Sequence, residues 1–154
     1  MLISRSSIIN VVISVTVLCF ALGCEKQNNE PKKITKIDET LCQFSQGPCV
    51  QKVAKTVVKL EFTPSHAPSE KPIDLTVTTN SEVDSIEMRV EGRDMFMGVI
   101  PVNLQQKAKD VYQGTLIYGS CSSDYMVWRA YITVTKSGES QTLLFDFLAD
   151  NVGS

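Results

Sequence analysis

The chain has 154 residues, of which 43% are hydrophobic and 21% are charged, and its formal net charge is −2. This composition and a mean hydropathy near zero are typical of one ordinary globular domain with an additional short segment. The slightly acidic balance contains no dense run of Lys or Arg, which excludes a basic face for nucleic acid.

The first 23 residues have the pattern of a secretion signal. A positive charge at Arg5 precedes an apolar stretch over residues 8–22, and the small residue Gly23 lies directly before Cys24. Polar residues interrupt the apolar stretch, which is short for a membrane span, so cleavage is favoured over retention as a helix. We therefore expect residues 1–23 to be a signal peptide.

Residues 21–24, Ala-Leu-Gly-Cys, resemble the lipobox of bacterial lipoproteins. The resemblance implies that the Cys24 thiol receives a diacylglycerol and that cleavage frees its amino group for a further acyl chain such as palmitate. Two or three acyl chains together anchor a protein firmly, whereas one does not. Ala21 stands where leucine is most often found, and the alternative is a plain secreted protein with a chance cysteine.

The residue after the lipidated cysteine influences which bacterial membrane receives a lipoprotein. In Gram-negative lipoproteins an aspartate at that place favours the inner membrane, whereas this chain has Glu25. The resemblance therefore favours the periplasmic side of the outer membrane over the inner membrane. Residues 24–36 are polar and charged and lack apolar periodicity, so they predict a flexible tether before a domain over residues 37–154.

Apolar and polar residues alternate with a period of two through most of that domain, as in half-buried β-strands. Seven segments show the pattern: residues 58–62, 73–78, 86–90, 95–104, 111–118, 125–135 and 141–148. Short antiparallel strands of this kind predict an all-β, immunoglobulin-like β-sandwich, because one face of each sheet needs a second sheet to cover it. A helical turn is expected only over residues 103–110.

Three cysteines lie in the predicted domain, which is an odd number for an exported protein whose cysteines pair as disulfides. Cys42 and Cys49 have six residues between them and bracket a Gly-Pro turn signal, which favours a structural disulfide. Redox-active pairs are usually closer together at a helix start, where the dipole lowers the thiol pKa. The alternative is a thiol pair that accepts a metal or electrons from a partner.

The sequence lacks the patterns of common enzymes. The single histidine, His66, lies in a Pro-rich loop without a Gly-x-Ser-x-Gly turn, a neighbouring His or a paired carboxylate cluster, and we interpret it as a solvated loop residue. No Walker or dinucleotide-binding glycine pattern occurs. We therefore expect no catalytic residues and a protein that is not an enzyme.

The most unusual group of residues is rich in sulfur. Met95 and Met97 follow one predicted strand on a shared face, Cys121 lies in a later loop, and Met126 and Trp128 share a face of the next strand. Thiolate and thioether sulfurs are soft ligands that select Cu(I), so the three methionines and the cysteine form a candidate Cu(I) site. The alternative is that the methionines fill the core around Trp128 and that Cys121 is a buried thiol.

Four segments also resemble the small periplasmic domains of the FixH-like and YtkA-like type. They are residues 91–98 with a glycine and a methionine pair, Leu104 before a charged turn, residues 112–116 with the form Tyr-x-Gly, and residues 121–128 with a late Trp. The resemblance implies an association with cytochrome oxidase and copper delivery, and it nominates the same four sulfur-bearing residues. Those relatives commonly have a Gly-Trp step where this chain has Met126-Val127-Trp128.

The sequence thus favours a lipid-anchored periplasmic binding domain that holds Cu(I) through Met and Cys sulfur and assists the assembly of a copper protein. The alternative is an envelope protein–protein interaction module in which the cysteines and methionines are structural. A third possibility, a thiol oxidoreductase, requires Cys42 and Cys49 to cycle. The expected partners are the membrane, through lipid on Cys24, and an envelope protein. Cu(I) is the only cofactor that these residues indicate.

Overall fold

A computed structural model of the chain describes residues 38–120 and 125–151. The predicted signal peptide, the tether with Cys24, and Cys121 lie outside these residues, so the predictions made for them stay predictions. The described ranges contain nine β-strands, one turn of 3-10 helix at Phe44–Gln46 and no α-helix. Within them, no helix is long and apolar enough to cross a membrane.

The nine strands form two antiparallel sheets. They are β1 (Cys49–Val53), β2 (Thr56–Thr63), β3 (Ile73–Thr79), β4 (Ser85–Gly92), β5 (Val99–Val102), β6 (Gln105–Ala108), β7 (Val111–Leu116), β8 (Val127–Lys136) and β9 (Glu139–Leu148). One sheet has the order β1-β2-β3-β7-β6 and the other has the order β5-β4-β8-β9. The orders β2-β3-β7-β6 and β4-β8-β9 match the two facing sheets of an immunoglobulin-like sandwich, so the predicted fold is confirmed.

The core lies between the sheets and is supplied by alternate residues of the strands. In β2 the buried positions are Val58, Leu60 and Phe62, and their neighbours Lys59 and Glu61 are exposed. This is the alternation from which the strand was predicted. The facing sheet supplies the larger side chains, which include Trp128, Ile132, Phe145 and Phe147.

Two of the nine strands were not predicted, and both are edge strands. The three central residues of β1 are exposed, and all four residues of β6 are exposed, so neither strand has an alternating pattern. The predicted helical turn over residues 103–110 is wrong, because β6 occupies most of this segment and pairs with β7. Backbone pairing, not a buried face, holds such a strand in place.

The predicted strand over residues 95–104 is also wrong in its first half. Only Val99–Val102 pairs with β4, and residues 93–98 form a loop that ends at Gly98 with a φ of 86°. Met95 and Met97 therefore lie on this loop, which we call the methionine loop (residues 93–98), and not on one face of a strand. Met126 likewise precedes β8, which begins at Val127.

The chain enters the sandwich along the outer edge of β9 and then crosses to the other sheet. Cys42 forms a parallel bridge with Phe147, and its N–H donates to the carbonyl of Asp146 at 2.7 Å. Seven positions later Cys49 begins β1 in the other sheet, and the two cysteines are disulfide-bonded with a Cα–Cα distance of 5.3 Å. This agrees with the predicted pairing. We call residues 38–49 the clip segment, because it joins the two sheets at one edge.

The opposite edge of the sandwich is formed by β5 and β6, and both strands are poor templates for a further strand. Successive N–H groups of a strand point to opposite sides, and proline has no N–H. Pro101 therefore fits in β5 because the N–H of an ordinary residue there would point away from β4 and towards solvent. In β6 the register shifts between Gln106 and Ala108, with Lys107 in between. A proline, a lysine and an irregular register are all common means of blocking edge-to-edge association.

Candidate functional site

The methionine loop lies at the same end of the sandwich as the entry of the chain. β4 ends and β8 begins at this end, because Gly92 is the register partner of Trp128. β9 ends there as well, and the backbone N–H of Ala149 donates to the carbonyl of Met126 at 2.9 Å. The loop after β4 and the residues just before β8 are therefore neighbours.

Gly92 allows the methionine loop to fold closely over the end of β4. A Cβ atom at this position would lie 2.3 Å from the backbone oxygen of Met95, 3.1 Å from Cε of Met126 and 3.3 Å from Cγ of Met97. Any side chain here would therefore force the loop backbone to move. The same distances show that the side chains of Met97 and Met126 both lie close to Gly92.

The three methionines differ in exposure. Met126 is buried, with 7% of its surface exposed, and it belongs to the hydrophobic core. Met97 is 36% exposed and Met95 is 47% exposed. Filling of the core thus accounts for Met126 but not for the other two. Cys121 lies outside the described residues, so its approach to the methionines stays a prediction.

Charged residues fix the base of the methionine loop. Asp146 on β9 accepts two hydrogen bonds from Arg129 on β8, at 2.6 Å to Nε and 2.8 Å to Nη2. Arg93 lies 3.7 Å from the same carboxylate and 2.9 Å from Asp94. Hydrogen bonding with Asp94 raises the pKa of Arg93, and Asp146 raises the pKa of Arg129 in the same way, so both guanidinium groups stay charged.

The backbone of the loop base and the chain entry are tied to the same place. The N–H of Arg93 donates to the carbonyl of Val127 at 2.9 Å. Asp38 lies beside them, since its Oδ2 is 3.4 Å from the hydroxyl of Tyr125. Hydrogen bonds from Thr40 lower the pKa of Asp38, whereas burial and then Asp38 itself raise the pKa of Tyr125.

An aromatic pair lies in the core close to this end. The ring centroids of Tyr118 and Trp128 are 4.8 Å apart, and the Tyr118 hydroxyl donates to the carbonyl of Ala67. Burial raises the pKa of Tyr118 well above its usual range. The indole N–H of Trp128 has no hydrogen-bond acceptor among the residues that the structure describes. Trp128 therefore belongs to the core, while the methionine loop lies outside it.

Residues 38–120 and 125–151 contain no group of three or more His, Cys, Asp or Glu that could hold a metal ion. His66 is half-buried in the loop between β2 and β3, which agrees with its prediction as a loop residue. The remaining candidate ligands in these ranges are the thioethers of Met95, Met97 and Met126, and the side chains of Met97 and Met126 both lie close to Gly92. They suit a soft ion such as Cu(I) and not Zn²⁺, Ca²⁺ or Mg²⁺.

Sequence reasoning identified the methionines but missed what positions them. The pairing of Arg129 with Asp146 follows from the β8–β9 register, in which the two residues are direct partners. Seventeen positions separate them in the chain, so no local pattern connects them. The glycine at position 92 predicts a turn after the strand, but its sequence context does not indicate that the loop folds back closely over the strand end.

A polar groove lies at the opposite end of the sandwich. Its lining includes Lys109, Glu82, Lys136, Asp84 and Ser81. Lys109 pairs with Glu82 at 3.1 Å and Lys136 donates to Ser81 at 2.8 Å. The charged groups of the groove thus bind each other, and the groove has no feature that selects a ligand.

Comparisons with known proteins give no family for the chain. No family model matches it, and no curated protein matches it. Among solved structures it is similar to a DUF4785 family protein from Legionella pneumophila, with 17% identity, a TM-score of 0.46 and coverage of 64% of this chain and 29% of that one. A second similar structure is a cycloalternan-degrading enzyme from Trueperella pyogenes in complex with cycloalternan. It has 11% identity and a TM-score of 0.42, and the match covers 56% of this chain and 15% of the enzyme. The chain thus spans less than a third of either protein, and likenesses at these scores carry no argument about its function.

Proposed function

We propose that this chain is a lipid-anchored binding domain of the bacterial cell envelope, on its periplasmic side, that holds Cu(I) and assists the assembly of a copper protein. Met97 and Met126 are the central ligands, and Met95 and Cys121 are further donors. The domain has no catalytic role of its own in this proposal. The lipid anchor is Cys24, at the end of the predicted signal.

The observation that carries the copper site is the approach of both Met97 and Met126 to Gly92. The two side chains come from different parts of the chain, and Met97 is partly exposed. Cu(I) is a soft ion that accepts sulfur lone pairs without a demand for anionic oxygen ligands. A partly exposed pair can take up the ion from solution and release it to a partner.

The fixed base of the loop supports the same proposal. Arg93 and Asp146 hold the loop base on β8 and β9, so binding does not need to order that part of the chain. Ligands that are already in place lose less conformational entropy on binding. The loop thereby presents Met97 at a defined position relative to Met126.

The experiment is a competitive titration of the full-length protein with Cu(I) against a colorimetric Cu(I) chelator. Met97→Leu keeps the volume of the side chain and removes one sulfur ligand, so we expect affinity to fall about tenfold or more, equivalent to about 1.4 kcal/mol. Met126→Leu should have a similar effect. Met88→Leu is the matched control, because Met88 is a buried core methionine on β4 and pairs with Val102, away from Gly92.

Gly92→Ala provides a second test that leaves every sulfur in the protein. The added methyl group would collide with the backbone oxygen of Met95, so the loop must move away from Met126. We expect weaker Cu(I) binding with all methionines present. Equal affinity in the parent, Met97→Leu, Met126→Leu and Gly92→Ala proteins would refute the copper site and favour the alternative of an interaction module with structural methionines.

The cysteine pair supports a structural role in preference to a thiol oxidoreductase. Cys42 is buried, with 6% of its surface exposed, and it lies between β9 and β1. An exchange partner needs access to a sulfur atom, and burial restricts that access. A disulfide that resists mild reductant in the folded protein is the expected result, and ready reduction and reoxidation without unfolding would favour the oxidoreductase.

A further inference from the structure

The tip of the methionine loop is the most exposed apolar segment of the described domain. Phe96 is 82% exposed, and it stands between Met95 and Met97 at 47% and 36%. Tyr125, which is 40% exposed, lies at the same end of the sandwich. Large apolar side chains that protrude together from a fixed loop are a feature of surfaces that bind a partner or a membrane.

The chain enters the domain beside this loop. Asp38, the first described residue, is 3.4 Å from the hydroxyl of Tyr125, and its carboxylate also feels the charge of Arg93. Only residues 25–37 separate Asp38 from Cys24. Thirteen residues span at most about 45 Å, even when fully extended. A lipid on Cys24 therefore keeps this end of the sandwich within a short distance of the bilayer.

The edge strands β5 and β6 do not compete with the loop as a binding surface. Pro101 removes a donor from the outer side of β5, and β6 is irregular and carries Lys107. Addition of a partner strand is disfavoured at both places. Among the exposed large apolar side chains, Met95, Phe96, Met97 and Tyr125 lie at the end where the chain enters, whereas Val50 and Leu144 lie singly on β1 and β9.

We propose that the methionine loop docks on the surface of the bilayer to which the protein is anchored, with Phe96 inserted among the lipids at the interface. The proposal rests on the lipid anchor of the proposed function, because the anchor brings the loop to the membrane. Phe96 supplies the apolar contact, and Tyr125 at the same end of the sandwich has an aromatic ring and a hydroxyl, the combination that is favoured at membrane interfaces.

The charges around the loop indicate which lipids the docking needs. Arg93 is paired with Asp94 and faces Asp146, while Asp38 and Glu39 add negative charge nearby. Among residues 38–120 and 125–151, this end of the domain therefore has no free cluster of basic residues for anionic lipid headgroups, and the lysines of residues 25–37 are not part of the docked loop. Docking should be driven by burial of Phe96, should occur on zwitterionic phosphatidylethanolamine–phosphatidylcholine vesicles, and should be insensitive to salt.

The test is hydrogen exchange on the full-length protein, purified from membranes and placed in phosphatidylethanolamine–phosphatidylcholine vesicles. The comparison is the Cys24→Ser protein, which cannot carry the lipid, in solution. We expect the amides of residues 93–98 to exchange about tenfold more slowly on vesicles. The Ser137–Gly138 turn at the opposite end is the internal control and should not change.

Phe96→Ser in the anchored protein should abolish the slower exchange, while the fold stays intact because the side chain is exposed. If residues 93–98 exchange equally fast on vesicles and in solution, and mass spectrometry finds lipid on Cys24, the docking is refuted but the lipid anchor is supported. Absence of that lipid would overturn both proposals. Protection in native membranes but not in pure lipid vesicles would assign the loop to a protein partner and overturn docking on lipid.

Discussion

The clip segment and the methionine loop lie at the same end of the sandwich, and both are rich in apolar and sulfur-containing residues. In the clip segment these residues are buried, as shown by Leu41, Cys42 and Phe44 at 5%, 6% and 8% exposure. In the methionine loop they protrude, with Phe96 at 82%. The same residue types thus stabilise the fold in one segment and remain at the surface in the other.

The difference lies in what each segment contacts. The ring of Phe44 stacks on Phe62 with centroids 4.2 Å apart, and Phe62 meets Phe147 edge-on at 5.0 Å. The methionine loop is fixed at its base by ion pairs and backbone hydrogen bonds, while its tip adds little to the core. Burial therefore distinguishes side chains needed for stability from those available for binding, which composition alone does not.

The largest expected effect is the contrast between two phenylalanines. Phe44→Ala removes a stacked ring from the core, so the free energy of unfolding should fall by about 3–4 kcal/mol. Phe96→Ala removes an exposed ring and should change the free energy of unfolding by less than about 0.5 kcal/mol. Urea denaturation of both variants measures the difference, and comparable losses would show that the loop tip also contributes to the core.

The disulfide should contribute somewhat less than Phe44. Cys42 and Cys49 are separated by seven positions, and closure of a loop this short stabilises a fold by about 2.5 kcal/mol. The double variant Cys42→Ala/Cys49→Ala should lose roughly this amount in thermal or chemical denaturation. Its Cu(I) affinity should stay unchanged, because these residues are not ligands in the proposed site. A loss of copper binding in the folded variant would contradict the separation of the two segments.

The buried Tyr118 should make the domain sensitive to alkali. Burial raises the pKa of Tyr118 in the folded state above its value of about 10 in the unfolded chain. The stability that the neutral side chain contributes is therefore fully present below about pH 10 and falls as pH rises above that value. The unfolding free energy should drop by about 1.4 kcal/mol per pH unit from this group between about pH 10 and 11.5. Tyr118→Phe should remove this contribution to the slope of unfolding free energy against pH. An unchanged slope would show that other groups cause the loss of stability in alkali.

The ion pairs at the base of the methionine loop should have a smaller effect. Asp146→Asn weakens the contacts to Arg129 and Arg93, and we expect a loss of about 1 kcal/mol in unfolding free energy. Glu91→Gln is the control, because its partner Arg89 is more exposed, and it should cost less than about 0.5 kcal/mol. Equal costs would mean that Asp146 does not fix the loop base more firmly than an ordinary surface pair.

The fold was predictable because most strands have one buried face. Val58, Leu60 and Phe62 alternate with charged neighbours, and this pattern in several segments is sufficient to indicate a sandwich. The exceptions are β1 and β6, whose residues are mostly exposed and whose positions depend on pairing with β2 and β7. Each pairs with the next strand of the chain across a two-residue connection, but neither segment has the apolar alternation from which the other strands were predicted.

The candidate site was predictable in its residue types but not in its geometry. Met95 and Met97 have the spacing of a strand, yet the chain leaves β4 at Gly92 and folds back, which changes the positions of both side chains. Met97 and Met126 are 29 positions apart, and their common approach to Gly92 depends on the pairing of β4 with β8. Long-range pairing of this kind becomes visible only when the sheet is assembled.

The most direct test of the copper site is X-ray absorption spectroscopy of the full-length protein loaded with one equivalent of Cu(I). The account predicts a first coordination shell made of sulfur atoms, with fewer sulfur atoms in the Met97→Leu variant and no change in Met88→Leu. A shell made of nitrogen and oxygen atoms, or a sulfur shell that is unaffected by Met97→Leu and Met126→Leu, would contradict it.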